Sequence, residues 1–124
     1  MAGKLAAQQV RIKRAYEPAA KEDGARILID RLWPRGIKKE ALELSEWNRD
    51  LAPSTELRKW FSHDPALWDE FQQRYKAELA ERQEALQALR ERAQQEVICL
   101  VYCARDEAHN NAVVVRDLLL HPGH

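Results

Sequence analysis

The stretch EVICLVYC, residues 96–103, decides the fold. Between Glu96 and Tyr102 no side chain is charged, so both faces of a strand here are dry. Such a strand belongs at the centre of a sheet, covered on either side. Upstream, QVRIKRAY (9–16) alternates, with Val10 and Ile12 on one side and Arg11 and Lys13 on the other. That period predicts a half-buried strand with one wet face. RILID (26–30) is a short apolar run that predicts a second, more buried strand, entered after the turn pair Asp23-Gly24.

The remaining periodic segments predict helices. KKEALELSEW (38–47) holds a short one. APSTELRKWF (52–61) begins with Ser54 as its N-cap and aligns Leu57, Trp60 and Phe61 on one face. In the run 63–95, Asp64 caps and Pro65 takes the first helical position. Trp68, Phe71, Tyr75, Leu79, Leu86, Leu89 and Ala93 then form an apolar stripe interrupted only by Arg82. A straight helix of about 29 residues would span roughly 43 Å. That is too long for this domain, so a break is expected near residues 80–84. Asp106 is read as the cap of a last helix over 107–120, ended by Pro122 and Gly123. Strands followed by helices, then a strand and a helix, predict an α/β fold. The expected architecture is one small domain over residues 1–124, a short, mostly parallel sheet with helices packed on it. Residues 1–8 are expected to be a disordered N-terminal extension.

The composition narrows the function classes. A chain of 124 residues suits one domain, and it can bury enough surface to need no staple. Twenty basic and twenty acidic residues cancel, which disfavours nonspecific nucleic-acid binding. The two cysteines, Cys99 and Cys103, form no CxxC pair and cannot make a zinc site alone. Their small number fits a reduced, cytoplasmic protein. The opening MAGKLAAQQV has no apolar core of signal-peptide length, and no run approaches a membrane span. His63, His109, His121 and His124 have no metal-binding spacing, and no metal or cofactor is expected.

In parallel sheets ligands bind beyond the carboxyl ends of the strands. Two loops qualify: DRLWPRG (30–36) and YCARDEAHN (102–110). If their strands are parallel neighbours, these loops lie side by side. Together they offer Arg31, Arg35 and Arg105, with Asp30, Asp106, His109 and Asn110. Guanidinium forks match phosphate and carboxylate oxygens in two-point contacts. A helix start after Asp106 adds free N–H groups. His109 can exchange a proton near neutrality, and Trp33 can floor a pocket for a planar ligand. Plainer roles stand beside these. Asp106 is simply a cap, Arg31 and Arg35 pair with Asp30 and Glu40 at the surface, and Trp33 is core. A nucleophilic Cys103 is disfavoured, because the position six residues on is His109 rather than arginine and the loop lacks glycine.

DGARILIDRLWPRG, APSTELRKWF, HDPALWDEFQQRYKAEL and LVYCARDEAHNNAVV, in that order, resemble the bacterial proteins grouped as domain of unknown function 488. The match is nearest its short YeaO-like branch and runs from about residue 10 to residue 120. The resemblance implies a small cytosolic α/β protein and supplies no activity. Its motif positions include Asp30, Arg31, Trp33, Arg35, Arg58, Tyr102, Arg105, Asp106, His109 and Asn110. The family pattern has alanine where this chain has Cys103. More distant members carry a Cys-His-Arg signature where this chain reads Ala108, His109, Asn110. The resemblance also brings Arg58 and the N–H groups after Ser54 toward the strand-end cluster.

The leading reading is therefore an anion-binding pocket at the strand ends, in a binding protein or an enzyme. Arg31, Arg35, Arg58 and Arg105 would hold a small anionic ligand, and Asp30 and Asp106 would orient those arginines. His109, with an Asp106 partner, would carry the proton, and Tyr102 and Trp33 would form walls. The alternative is a noncatalytic module that binds a protein or nucleic acid, using the long helix and the Arg-Trp loop. A third reading has the arginines and acids merely locking the loops.

Overall fold

The computed structural model describes residues 5–121. The first four residues, Pro122, Gly123 and His124 lie outside the described residues. Four strands form one sheet in the order β1-β4-β2-β3, every pair parallel. They are β1 (Val10–Arg14), β2 (Ala25–Leu28), β3 (Glu46–Trp47) and β4 (Ile98–Tyr102). The expected central strand, β4, is buried along its whole length. It lies between β1 and β2, with Arg26 opposite Cys99 and Arg14 opposite Tyr102. The chain is thus an α/β domain. Ala7–Gln9, overlapping the end of the stretch 1–8 expected to be disordered, form a 3-10 turn leading into β1.

Alternation along β4 divides the core. Ile98, Leu100 and Tyr102 face the larger apolar cluster, while Cys99 and Val101 face the smaller one. The larger cluster is closed by α2 (Thr55–Phe61), α3 (Trp68–Leu79), α4 (Gln83–Gln95) and α5 (Asn111–Leu120). The smaller is closed by α1 (Lys39–Leu42) and the segment around Trp33, Ile37 and Trp47. The dry character of β4 follows from having cover on both sides.

The long apolar stripe is broken where Arg82 interrupts it. Arg82 takes a non-helical conformation as the N-cap of α4, and Glu81 and Arg82 donate to Glu78 and Leu79 in a tightened turn. The break brings both halves of the stripe, Phe71-Tyr75-Leu79 and Leu86-Leu89-Ala93, into one core. Two expectations need correction. The segment 38–47 holds not only α1 but also the edge strand β3. Glu43, left-handed at φ 48°, ends the helix. A two-residue strand is too short to show a period. The last helix starts at Asn111 rather than 107, because Asn110 is its cap: Val113 N–H donates to Asn110 Oδ1 at 3.1 Å.

The entry to β2 is anchored by a buried charge. Asp23 accepts from Arg26 at 2.6 Å and from Lys13 at 3.2 Å. Burial would raise its pKa, but the Ala20 N–H, Lys13 and Arg26 outweigh this and hold it below the usual value. Gly24 follows at φ 68°, and a Cβ there would lie 2.0 Å from the Val97 carbonyl oxygen, so only glycine fits.

Candidate functional site

Because β2 and β4 are parallel neighbours, their carboxyl ends deliver the two predicted loops to the same place. Asp30 ties them together. Its Oδ2 accepts from Cys103 N–H at 2.9 Å, and its Oδ1 accepts from the Asn111 side-chain amide at 2.8 Å. The same Asn111 amide donates to the Ile29 carbonyl, and Trp47 Nε1 donates to the Asp30 carbonyl. The end of β2, the end of β4 and the start of α5 are thus joined through one carboxylate. Tyr16, just past β1, donates its hydroxyl to the Arg35 carbonyl at 3.1 Å, tying the edge strand to the same loop.

A second structure is brought up from α2. Ser54 Oγ accepts from Leu57 N–H at 3.1 Å, the expected cap. Glu78 of α3 accepts from Ser54 N–H at 2.8 Å and from Ser54 Oγ at 2.5 Å. This clamp fixes α2 on α3, and the Phe61 and Phe71 rings stack at 4.3 Å. Arg58, one turn before Phe61, is thereby carried to the strand ends.

These elements enclose a cavity of about 310 Å³. Its walls carry Asp30, Arg31, Trp33, Arg35, Arg58, His109 and Asn110 from the predicted set. Phe61, Phe71, His63 and Asn111 complete the lining with Leu32, Pro53, Cys103 and Ala104. Among the described residues, neither Arg31, Arg35 nor Arg58 has a carboxylate within ion-pair distance, so the surface pairing of Arg31 and Arg35 with Asp30 and Glu40 does not occur. Asp30 is spent on Cys103 and Asn111 instead of orienting an arginine. Trp33 is half-buried, donates its Nε1 to the Ile37 carbonyl at 2.7 Å and packs edge-on against Trp47, so it serves core and cavity wall together.

His109 is held from two directions. Asp106 Oδ2 lies 2.9 Å from its Nδ1, and its ring meets Trp68 edge-on at 5.2 Å. Asp106 also accepts from Ala108 and His109 N–H groups, at 2.9 and 3.0 Å. The Ala108 N–H first, then the His109 side chain, hold the Asp106 carboxyl below its ordinary value. Asp106 therefore caps the turn that presents His109, not α5 itself. It is absent from the cavity wall and touches a lining side chain at His109.

Three expectations do not survive in detail. Tyr102 is buried under the helices, because alternation turns residues 98, 100 and 102 toward the large core, and it does not line the cavity. Arg105 is exposed on the turn and lies outside the lining. Asn110 lines the cavity, but its side chain is largely committed, one amide N–H donating to the Asp106 carbonyl and Oδ1 capping α5. Cys103 is no nucleophile in waiting. Burial and then the Asp30 carboxylate push its thiol well above the ordinary range, away from the reactive thiolate. Reading the sequence missed His63, Phe61, Phe71 and Asn111 as lining residues. Their only signal was their place beside motifs already singled out.

Fold and motifs define a class: this chain belongs to the domain of unknown function 488 family. The family model that matches residues 9–123 is described as the inactive DUF488-N3 subclade. Within that class the chain is 44% identical over 110 residues to the uncharacterized protein YeaO of Escherichia coli K12, covering 89% of this chain and 96% of that one. It is 41% identical over 111 residues to the uncharacterized protein Rv3073c of Mycobacterium tuberculosis H37Rv, covering 90% and 93%. No solved structure matches it. No helix of the described residues is long and apolar enough to cross a membrane.

Proposed function

We propose that this protein binds a small anionic ligand in the strand-end cavity without turning it over, in the bacterial cytoplasm. Arg31, Arg35 and Arg58 hold the anion. Asp106 orients His109, which adds a hydrogen bond, and Asp30 keeps the two loops at the spacing the ligand requires. The observation that carries this reading is three exposed arginines, Arg31, Arg35 and Arg58, lining one cavity while making no ion pair among the described residues. Arginine forks match the oxygens of a bound oxyanion in two-point contacts. Binding rather than catalysis is supported by the description of the matching family model as inactive and by the suppressed Cys103 thiol. The cytoplasmic setting is supported by two free cysteines.

The test is a thermal melt in increasing inorganic phosphate or sulfate at fixed ionic strength. Saturable stabilisation is expected. Arg35→Ala and Arg58→Ala should each weaken it roughly tenfold or more, the value of a charge-assisted hydrogen bond. Melting temperatures that follow ionic strength alone, or are unaffected by either variant, would remove the proposal.

A further inference from the structure

We infer that the ligand is a phosphomonoester with a flat aromatic body, and that His63 is the residue on which that body lies. This inference rests on the anion-binding reading of the same cavity. Charge selects the first half. Three guanidiniums against the single Asp30 carboxylate leave two positive charges on the wall when the histidines are neutral. A phosphomonoester carries roughly two negative charges near neutral pH. A monocarboxylate would leave one arginine charge uncompensated. The volume of about 310 Å³ suits a small molecule.

The second half comes from the backbone. After α2 the chain holds two consecutive non-glycine residues in the left-handed region, Ser62 at φ 47° and His63 at φ 57°. Each is a conformation that L side chains adopt at a cost. The first is an ordinary helix end, with Ser62 N–H donating to the Arg58 carbonyl at 3.0 Å. The second closes a tight turn, with Asp64 N–H donating to the Phe61 carbonyl at 3.0 Å, and that turn leaves His63 in the cavity wall. The ring is exposed and tilted against Phe61 at 6.3 Å between centroids. His63 thus offers an exposed aromatic surface in the same cavity wall as Arg58.

Titration calorimetry of the intact protein tests both halves with phenyl phosphate, glycerol phosphate, benzoate and inorganic phosphate. Phenyl phosphate should bind roughly tenfold more tightly than benzoate. It should also bind roughly threefold or more tightly than glycerol phosphate. His63→Gly should melt higher than the parent, since glycine accepts the left-handed backbone, and should bind phenyl and glycerol phosphate alike. His63→Asn, which also tolerates that backbone, should lose the same preference, and Ser62→Gly should keep it. Benzoate matching phenyl phosphate, or a phenyl preference surviving in both His63 variants, would overturn the inference. Inorganic phosphate failing to bind would instead overturn the anion-binding reading beneath it.

Discussion

Replacing Asp30 should do more harm than removing any arginine of the cavity, because Asp30 is what makes the cavity. Its carboxylate accepts from Cys103 N–H and from the Asn111 amide, each at under 3 Å. Hydrogen bonds to an ionised acceptor are worth about 1.5–3 kcal/mol each. Asn111 retains its bond to the Ile29 carbonyl, so only part of its share is lost. Cys103 N–H has no other partner and would be left bare in a half-buried position. Asp30→Ala should therefore cost about 2–4 kcal/mol. Asp30→Asn, which keeps one acceptor oxygen but turns an NH₂ toward a donor, should cost about 1–2 kcal/mol. The total stability of such a domain is only about 5–15 kcal/mol, so the shift is large. Urea titration followed by the fluorescence of the four tryptophans gives the measurement. The midpoint should fall while the slope stays fixed, since the same surface is exposed on unfolding. A loss below about 1 kcal/mol in Asp30→Ala would mean that the strand ends are held by the sheet alone. The account of the site as a clamped pair of loops would then fail.

Two further outcomes follow from the entry to β2. Asp23→Asn should cost about 3–5 kcal/mol, because it strands the buried Arg26 without its partner. The folded pKa of Asp23 lies below its unfolded value, so its stabilisation is full above the unfolded value and vanishes as pH falls through the folded one. Melts below about pH 4 should therefore show the parent losing stability faster than Asp23→Asn. Gly24→Ala should cost about 3 kcal/mol, from left-handed strain and from the Cβ forced against Val97. Calorimetric melting would register it, and an unchanged midpoint would contradict the crowding at that turn.

The fold was legible where one residue type repeats at a clear period. EVICLVYC announced a strand dry on both faces, and β4 lies between two neighbours for that reason. Arg82 in an otherwise apolar stripe marked the break between α3 and α4. The failures are local competitions between similar caps. Asp106 and Asn110 both suit a helix start, four residues apart, and which wins is decided by Val113 N–H reaching Asn110 while Asp106 turns to Ala108 and His109. Nothing in the linear order separates those outcomes. β3 is set by pairing of Leu28 with Trp47 and of Ile27 with Glu46, a contact no local pattern encodes.

For the site, the deciding link was topological. Once β2 and β4 are parallel neighbours, the loops that follow them share one edge, so Arg35 and His109 meet although seventy-odd residues separate them. Side-chain roles were harder, because chemistry-bearing residues have more than one use. Asp30 looked like a partner for arginine, yet two donors closer to it claim both oxygens. That diversion leaves Arg31 and Arg35 without a carboxylate among the described residues, and Arg58 arrives from α2 equally unpaired among them. An acid committed to backbone and amide donors is thus what leaves these arginines available for the proposed anion. The structural role of Asp30 and the proposed binding role of the arginines are two consequences of one arrangement.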